Sequence, residues 1–275
     1  MRRGLAGVAV LVAVTALGCG SEDGEAVVVA GTPPATPYAG PLYVRATGSD
    51  KSGAAGRALE CTGTMYEGGG AETWSEGDGG KTPEGGLRLY FDIEQPDVPH
   101  TGYRVERKAD GRVLFSYDVG GRTKVAVVVA KDRKNRPGWG PETSASCDPA
   151  ELPASFTKAH GYEIWTDEDG HRVPTTVVTS SVGAAHCDWQ KAHFLQTGKG
   201  EKERLYARDP DRVLPSGMLT GSYDGDVRMP ASARDTGYRY HDWELWFAAD
   251  ASTAYVRTPD GVEAWPLVKH GTGCV

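Results

Sequence analysis

Four cysteines that bracket two spans of nearly equal length constrain this chain more than any other feature. Cys61 and Cys147 stand 86 positions apart, and Cys187 and Cys274 stand 87 apart. In an oxidising compartment four cysteines form two disulfides, and three pairings are open on sequence alone. The two intervals also match internally. Thr101-Gly102-Tyr103-Arg104 recurs as Thr236-Gly237-Tyr238-Arg239. Leu114-Phe115, followed by an acid, a turn and a Val-rich stretch, matches Leu245-Trp246 followed by Asp250 and Tyr255-Val256. Trp139 lies eight positions before Cys147, and Trp265 nine before Cys274. This is the pattern of a degenerate twofold repeat. It predicts Cys61–Cys147 and Cys187–Cys274, each closing one repeat. In the chain-entropy model a loop that long stabilises by about 4–5 kcal/mol.

Turn chemistry predicts what lies between the cysteines. The chain holds 37 glycines and 17 prolines in 275 residues, which favours short strands over a helical bundle. Asp110-Gly111 and Gly120-Gly121 tolerate the positive φ of two-residue hairpin turns. They divide residues 102–108, 112–118 and 123–131 into a meander. Val113, Phe115 and Tyr117 alternate onto one face. Val125 to Val129 is apolar on both faces and reads as the central strand. Ahead of the meander, Thr82-Pro83-Glu84 opens a helix: an N-cap threonine, proline at the first helical position, an acid in the first turn. Leu87, Leu89, Tyr90 and Ile93 give it a partial apolar stripe, Gly85-Gly86 weaken it, and Pro96 and Pro99 end it. Residues 162–165 and 172–178 flank Asp169-Gly170 as another hairpin. Residues 188–196, 203–208, 237–240, 243–248, 253–258 and 262–266 read as strands, with Asp260-Gly261 the last turn. Trp243, Leu245 and Phe247 share one strand face; Glu244 and Trp246 share the other. No second helix is predicted. The expected fold is α+β, mainly antiparallel β, in two degenerate disulfide-closed repeats, 57–155 and 156–275, with at least one helix in the first.

The fifth cysteine needs its own explanation. Met1-Arg2-Arg3 is a short basic segment, and Leu5 to Leu17 is an uncharged, mostly apolar run of 13 residues. A membrane-spanning helix takes about 20, so the run fits the core of an export signal. It ends Ala16-Leu17-Gly18-Cys19. This resembles the lipobox of bacterial lipoproteins, whose cysteine is lipidated and becomes the first mature residue. That family usually has the larger aliphatic residue at −3 and a small one at −2, so Ala16 and Leu17 stand reversed, while Gly18 and Cys19 fit. The resemblance implies a signal peptide over 1–18 and acyl chains such as palmitate on Cys19. The alternative is an ordinary cleaved signal with an incidental cysteine. Two acyl chains, at roughly 0.8 kcal/mol per buried CH₂, make a stable anchor. Residues 20–56 are rich in Gly, Ala, Pro, Thr and Ser, a linker composition. Residues 19–56 are therefore expected to be lipidated cysteine and flexible tether.

Charge and motifs exclude several activities. The formal net charge is −7, and losing residues 1–18 leaves 28 basic against 37 acidic side chains. Nucleic-acid binding requires a basic footprint, which is missing. Val182-Gly183-Ala184-Ala185-His186-Cys187 resembles the histidine motif of trypsin-like serine proteases. The motif wants Ser or Thr at Gly183, and no Gly-Asp-Ser-Gly-Gly follows in the 89 residues after His186. The plain reading is a disulfide cysteine beside a histidine. Asp167-Glu168-Asp169-Gly170-His171 is acidic, but the twelfth position from Asp167 is Val178, where an EF-hand needs glutamate. Asp209-Pro210-Asp211 and Asp224-Gly225-Asp226 read as solvated turns. The seven histidines form no His-x-x-x-His pair, and there is no Cys-x-x-Cys. No Gly-x-Ser-x-Gly elbow, P-loop or dinucleotide fingerprint occurs, and Gly68-Gly69-Gly70 and Gly77-Asp78-Gly79-Gly80 follow no apolar strand. No catalytic residue, metal or cofactor is indicated.

Gly102-Tyr103-Arg104-Val105-Glu106-Arg107, Leu114-Phe115-Ser116-Tyr117-Asp118-Val119, His186-Cys187-Asp188-Trp189 and Tyr255 to Glu263 are similar to strings in a group of exported lipoproteins of high-GC Gram-positive bacteria. The resemblance spans most of 57–275. It implies export and attachment to the outer, extracytoplasmic face of the cell membrane, and no activity. The expectation is a non-enzymatic binding module of the cell envelope, its partner an envelope protein or cell-wall glycan and its only membrane contact the N-terminal lipid. The alternative is a secreted hydrolase with an unfamiliar site.

Overall fold

The computed structural model describes residues 37–44, 51–68 and 74–269. Among these, three helices are α1 (Gly53–Ala58), α2 (Pro83–Glu94) and α3 (Ala154–Ala159). The strands are β1 (Met65–Glu67), β2 (Tyr103–Ala109), β3 (Arg112–Val119), β4 (Arg122–Arg133), β5 (Arg136–Cys147), β6 (Val178–Val182), β7 (His193–Thr197), β8 (Arg204–Arg208), β9 (Arg234–Tyr240), β10 (Trp243–Phe247), β11 (Thr253–Thr258) and β12 (Gly261–Pro266). All their pairings are antiparallel. The fold is α+β and mainly antiparallel, as expected.

The first sheet has the order β1-β5-β4-β3-β2. Its hairpins turn where the dipeptides predict, with positive φ at Asp110, Gly111, Gly120 and Gly121. The apolar run 125–129 is indeed central, and β4 is buried from Thr123 to Ala130. One face presents Val113, Phe115, Val125, Val127 and Val129 to Leu87, Tyr90 and Phe91 of α2 and to Phe156 of α3. The other presents Leu114, Ala126, Val128 and Ala145 to Leu42 and to Ala54, Ala55 and Ala58.

That second face corrects the expected tether. Leu42 is 2% exposed, and α1 lies within the segment whose composition reads as a linker. Small residues bury there because they let backbone approach the sheet closely. Among the described residues, chain from Tyr38 onward already packs on the sheet.

Other expectations shift in detail. Thr82 caps α2, its hydroxyl accepting from the Gly85 N–H at 3.2 Å. The buried stripe is Gly86, Leu87, Tyr90 and Phe91, whereas Ile93 is exposed. A Cβ on Gly86 would lie 3.0 Å from the Trp139 Cβ, so this glycine lets the helix close on β5. β5 was not predicted, because Pro137 and Pro141 argue against a strand. The register shifts beside Pro141, where Val128 faces Thr143 and Val129 faces Pro141, and this bulge accommodates the ring. α1 and α3 are one-and-a-half-turn helices that no periodicity announces.

The second half holds two sheets, β6-β7-β8 and β12-β11-β10-β9. Trp165, Val178, Leu195, Tyr206, Leu245, Val256 and Trp265 fill the space between them. Arg208 and Glu263 join the sheets through bonds of 2.8 and 3.2 Å. Trp243, Leu245 and Phe247 share one face as expected, and that face is the one turned to the core. Trp246 is half-buried on the opposite face, beneath the Arg257 guanidinium. The hairpin expected around Asp169-Gly170 is short: Thr166 bridges Arg172 and the Val173 N–H donates to the Trp165 carbonyl at 2.8 Å, while Glu163 bridges Ser180 instead. Residues 185–187 form a 3₁₀ turn, so the strand expected from 188 begins at His193.

β2–β5 and β9–β12 are both four-stranded meanders, and the matched strings occupy corresponding strands. The likeness is confined to the meanders: α2 precedes the first, and β6–β8 precede the second. The halves meet at Asp148. Its carboxylate is 1% exposed and accepts from the Ala150 N–H (2.8 Å), the Thr175 N–H (3.0 Å) and the Thr175 hydroxyl (3.1 Å).

Candidate functional site

One row of cross-strand neighbours crosses all five strands of the first sheet. Tyr66 on β1 faces Ser146 on β5, Ser146 faces Val125 on β4, Val125 faces Tyr117 on β3, and Tyr117 faces Tyr103 on β2. Cross-strand partners share a face. The row therefore places three tyrosines under α2 and α3, on the face that also carries the larger core.

A cavity of about 290 Å³ lies over this row. Its inner wall is Tyr90, Tyr103, Val98, Val125, Leu152 and Phe156, each at most 5% exposed. The rim carries Glu67, His160 and Tyr162, all exposed, with Tyr66 and Gln95 half-buried. The Tyr66 hydroxyl is engaged with the Thr175 hydroxyl at 2.9 Å. Tyr103 is 0% exposed, and its hydroxyl has no hydrogen-bond partner. Its ring is held by Phe91 at 5.2 Å and Tyr117 at 5.4 Å. Burial, with Tyr90 and Tyr117 beside it, pushes the Tyr103 hydroxyl well above the usual phenol range. Burial and the nearby Glu94 carboxylate do the same for Tyr90. Both are neutral phenols at any physiological pH.

A second cluster lies between the sheets of the second half. His193 Nε2 is 2.7 Å from Glu163 Oε2, and the imidazole packs edge-on against Trp243 at 5.4 Å. The Ser180 hydroxyl also donates to Glu163 Oε2 and accepts from Trp165 Nε1 at 2.9 Å. A nucleophilic serine needs the imidazole as its base. Here the carboxylate stands between serine and histidine, and Ser180 is 2% exposed. The cluster is a buried polar tie, not a nucleophile.

The motifs singled out in the sequence find ordinary places. His186 is exposed on the 3₁₀ turn. A Cβ on Gly183 would lie 2.2 Å from the Trp189 carbonyl, so the Ser or Thr of the protease motif has no room. Asp167, Asp169 and His171 lie together, but Asp167 Oδ1 already accepts from the Asp169 and His171 backbone. The Asp209 carboxylate accepts from the Val213 and Leu214 N–H groups, and Asp224 from the Asp226 N–H. Gly80 pairs with Trp139 in both directions, at 2.7 and 2.8 Å, which packs that glycine loop against β5 instead of leaving a phosphate cradle.

Cys61 and Cys147 are bonded to each other, as the spacing predicts, with Cα atoms 5.3 Å apart. Cys187 is disulfide-bonded as well. Cys19 and Cys274, and with Cys274 the expected Cys187–Cys274 pairing, lie outside the described residues. Among the described residues no helix is long and apolar enough to cross a membrane.

The sequence reading did not single out Tyr66, Tyr90, Tyr103 or Tyr162. The available signal was tyrosine at core-facing positions of predicted strands, Tyr103 and Tyr117, since a hydroxyl turned into a core needs a partner. Comparison with family models, curated proteins and solved structures returns no match.

Proposed function

We propose that this chain is a lipid-anchored, extracytoplasmic binding protein whose site is the tyrosine-lined cavity over the first sheet. One observation carries the reading: a cavity of about 290 Å³ opens over the first sheet, its inner wall apolar and aromatic and its rim polar. Largely apolar concavities with a few converging polar groups are the usual form of small-molecule sites. Its volume of about 290 Å³ suits one small molecule or the end of a larger one.

The catalytic alternative has less support. The ionisable groups at this cavity, Glu67 and His160, stand exposed at its rim instead of converging inside it. The anchor rests on Leu5–Leu17 and Cys19. In Cys19→Ala the protein should move from the membrane fraction to the medium; retention in the membrane refutes lipidation there.

The cavity is tested by calorimetric titration of the full-length chain with small aromatic probes such as phenol and benzyl alcohol, beside a Leu152→Trp variant that fills the cavity. Binding to the parent that is lost in the variant is expected; no binding to the parent, or binding unchanged in the variant, refutes the reading.

A further inference from the structure

A second cavity, of about 570 Å³, opens along the loop between β8 and β9. It shares no residue with the cavity over the first sheet. Its lining follows the chain from Asp209 and Arg212 through Ser216 to Ser222 and Tyr223. The loop holds this shape with its own hydrogen bonds. Asp209 is 7% exposed and accepts from the Val213 and Leu214 N–H groups, and the Thr220 N–H donates to the Leu267 carbonyl at 2.9 Å. Tyr223 is half-buried, with the Arg208 guanidinium 5.7 Å from its ring centre.

Arg212 is the residue that loop stability does not explain. Its φ is 55°, in the left-handed region that Gly, Asn and Asp enter most readily. Of the seven non-glycine residues found there among the described residues, Arg212 alone has a long flexible side chain. It is exposed, and among the described residues its guanidinium has no hydrogen-bond or ion-pair partner. The neighbouring Asp211 is taken by Lys191 at 3.0 Å. Backbone strain under a side chain that holds no part of the fold, yet lines a cavity, points to a ligand.

The lining selects the class of ligand. Arg212 offers a fork of donors, and the exposed Ser216 and Ser222 hydroxyls each donate and accept. The two charged residues of the lining, Asp209 and Arg212, are opposite in sign. A carboxylate entering here meets Asp209 and an ammonium meets Arg212, so neither ion gains from the net field. Leu214, Leu219 and Tyr223 add apolar surface. An uncharged guest rich in hydroxyls, with apolar ring faces between them, matches all of these. A cavity of about 150 Å³ is sufficient for benzene, so about 570 Å³ accommodates two sugar rings with their hydroxyls. We infer that this loop cavity binds a neutral disaccharide unit, with the Arg212 guanidinium donating to adjacent hydroxyl oxygens.

Calorimetric titration of the purified full-length chain tests this with cellobiose, maltose and N,N′-diacetylchitobiose, beside glucuronate and glucosamine. At least one neutral disaccharide should bind, and more tightly than either charged monosaccharide. Arg212→Gly should weaken it roughly tenfold or more, as loss of a charged donor does. The same variant should melt no more than about 2 °C below the parent, because glycine adopts this φ without strain. Ser216→Trp, which fills the cavity, should abolish binding, and Leu152→Trp in the first cavity should leave it unchanged. If no neutral disaccharide binds, the inference fails. Glucuronate or glucosamine binding best overturns the ligand class. Binding unchanged in Arg212→Gly and Ser216→Trp, or lost in Leu152→Trp, places the sugar elsewhere and overturns the site. A larger fall in melting temperature for Arg212→Gly shows that the guanidinium holds the loop, which overturns its role as a ligand contact.

Discussion

The junction at Asp148 lends itself to a quantitative test. The carboxylate is almost fully buried and takes three hydrogen bonds from two segments, one following β5 and one preceding β6. In Asp148→Ala the Thr175 N–H, itself in a buried residue, loses its acceptor; an orphaned buried donor costs about 1–3 kcal/mol. The 3₁₀ turn at Pro149–Glu151 loses its cap, about 1 kcal/mol more. The Thr175 hydroxyl keeps Tyr66, so it adds little. The total is about 3 kcal/mol. For a body of this size that lowers the melting temperature by roughly 6–12 °C. Asp148→Asn keeps an acceptor for both N–H groups and should lose only about 1 kcal/mol. Urea unfolding at pH 7 with disulfides intact reads both variants. Five of the seven tryptophans lie beyond Asp148, so fluorescence reports mainly the second half and far-UV dichroism the whole chain. If Asp148→Ala lies within about 0.5 kcal/mol of the parent, a threshold set against the ~1–3 kcal/mol expected for one orphaned donor, the junction does not hold the halves together. If Asp148→Asn equals Asp148→Ala, charge and not hydrogen bonding is responsible.

Two further perturbations follow from single residues. Burial raises the Glu151 carboxyl, but the Lys124 ammonium at 2.6 Å and the Thr62 and Gly63 N–H groups outweigh it and hold the acid down at about 2. A depressed acid contributes stability above its unfolded value and loses it as pH falls. Stability should therefore drop between about pH 4.5 and 2, and Glu151→Gln should flatten that part of the curve; an unchanged slope refutes the assignment. Gly183→Ser, which completes the protease-like string, places a Cβ 2.2 Å from the Trp189 carbonyl. It should destabilise by roughly 2 kcal/mol or more, as forced overpacking does, and confer no hydrolysis of peptide esters; a neutral effect on thermal unfolding contradicts the geometry.

Much of the fold is written locally. Asp110-Gly111 and Gly120-Gly121 set the hairpins, Thr82-Pro83 starts α2, and the two-sided apolar run marks β4, because each depends on a few adjacent residues. β5 is hidden by prolines that a bulge accommodates, and a bulge is defined only against a partner strand. α1 is hidden because glycine and alanine signal a linker until something packs on them. The cavity is the least legible part. Its tyrosine row needs β1 to pair with β5 about 80 positions away, and one residue of slip would turn Tyr66 to the other face. Local pattern does not determine that register; the Cys61–Cys147 bond, closing beside it, is the only covalent hint.

The burial of Leu42 and α1 changes how far the body can stand from a membrane. A tether running to residue 56 would have a contour of about 130 Å from Cys19, at roughly 3.3–3.6 Å per residue. With chain already packed on the sheet at residues 37–44, the covalent limit from Cys19 falls to about 60 Å. If Cys19 carries lipid, as proposed, the cavity is confined to a layer within that distance of the bilayer surface.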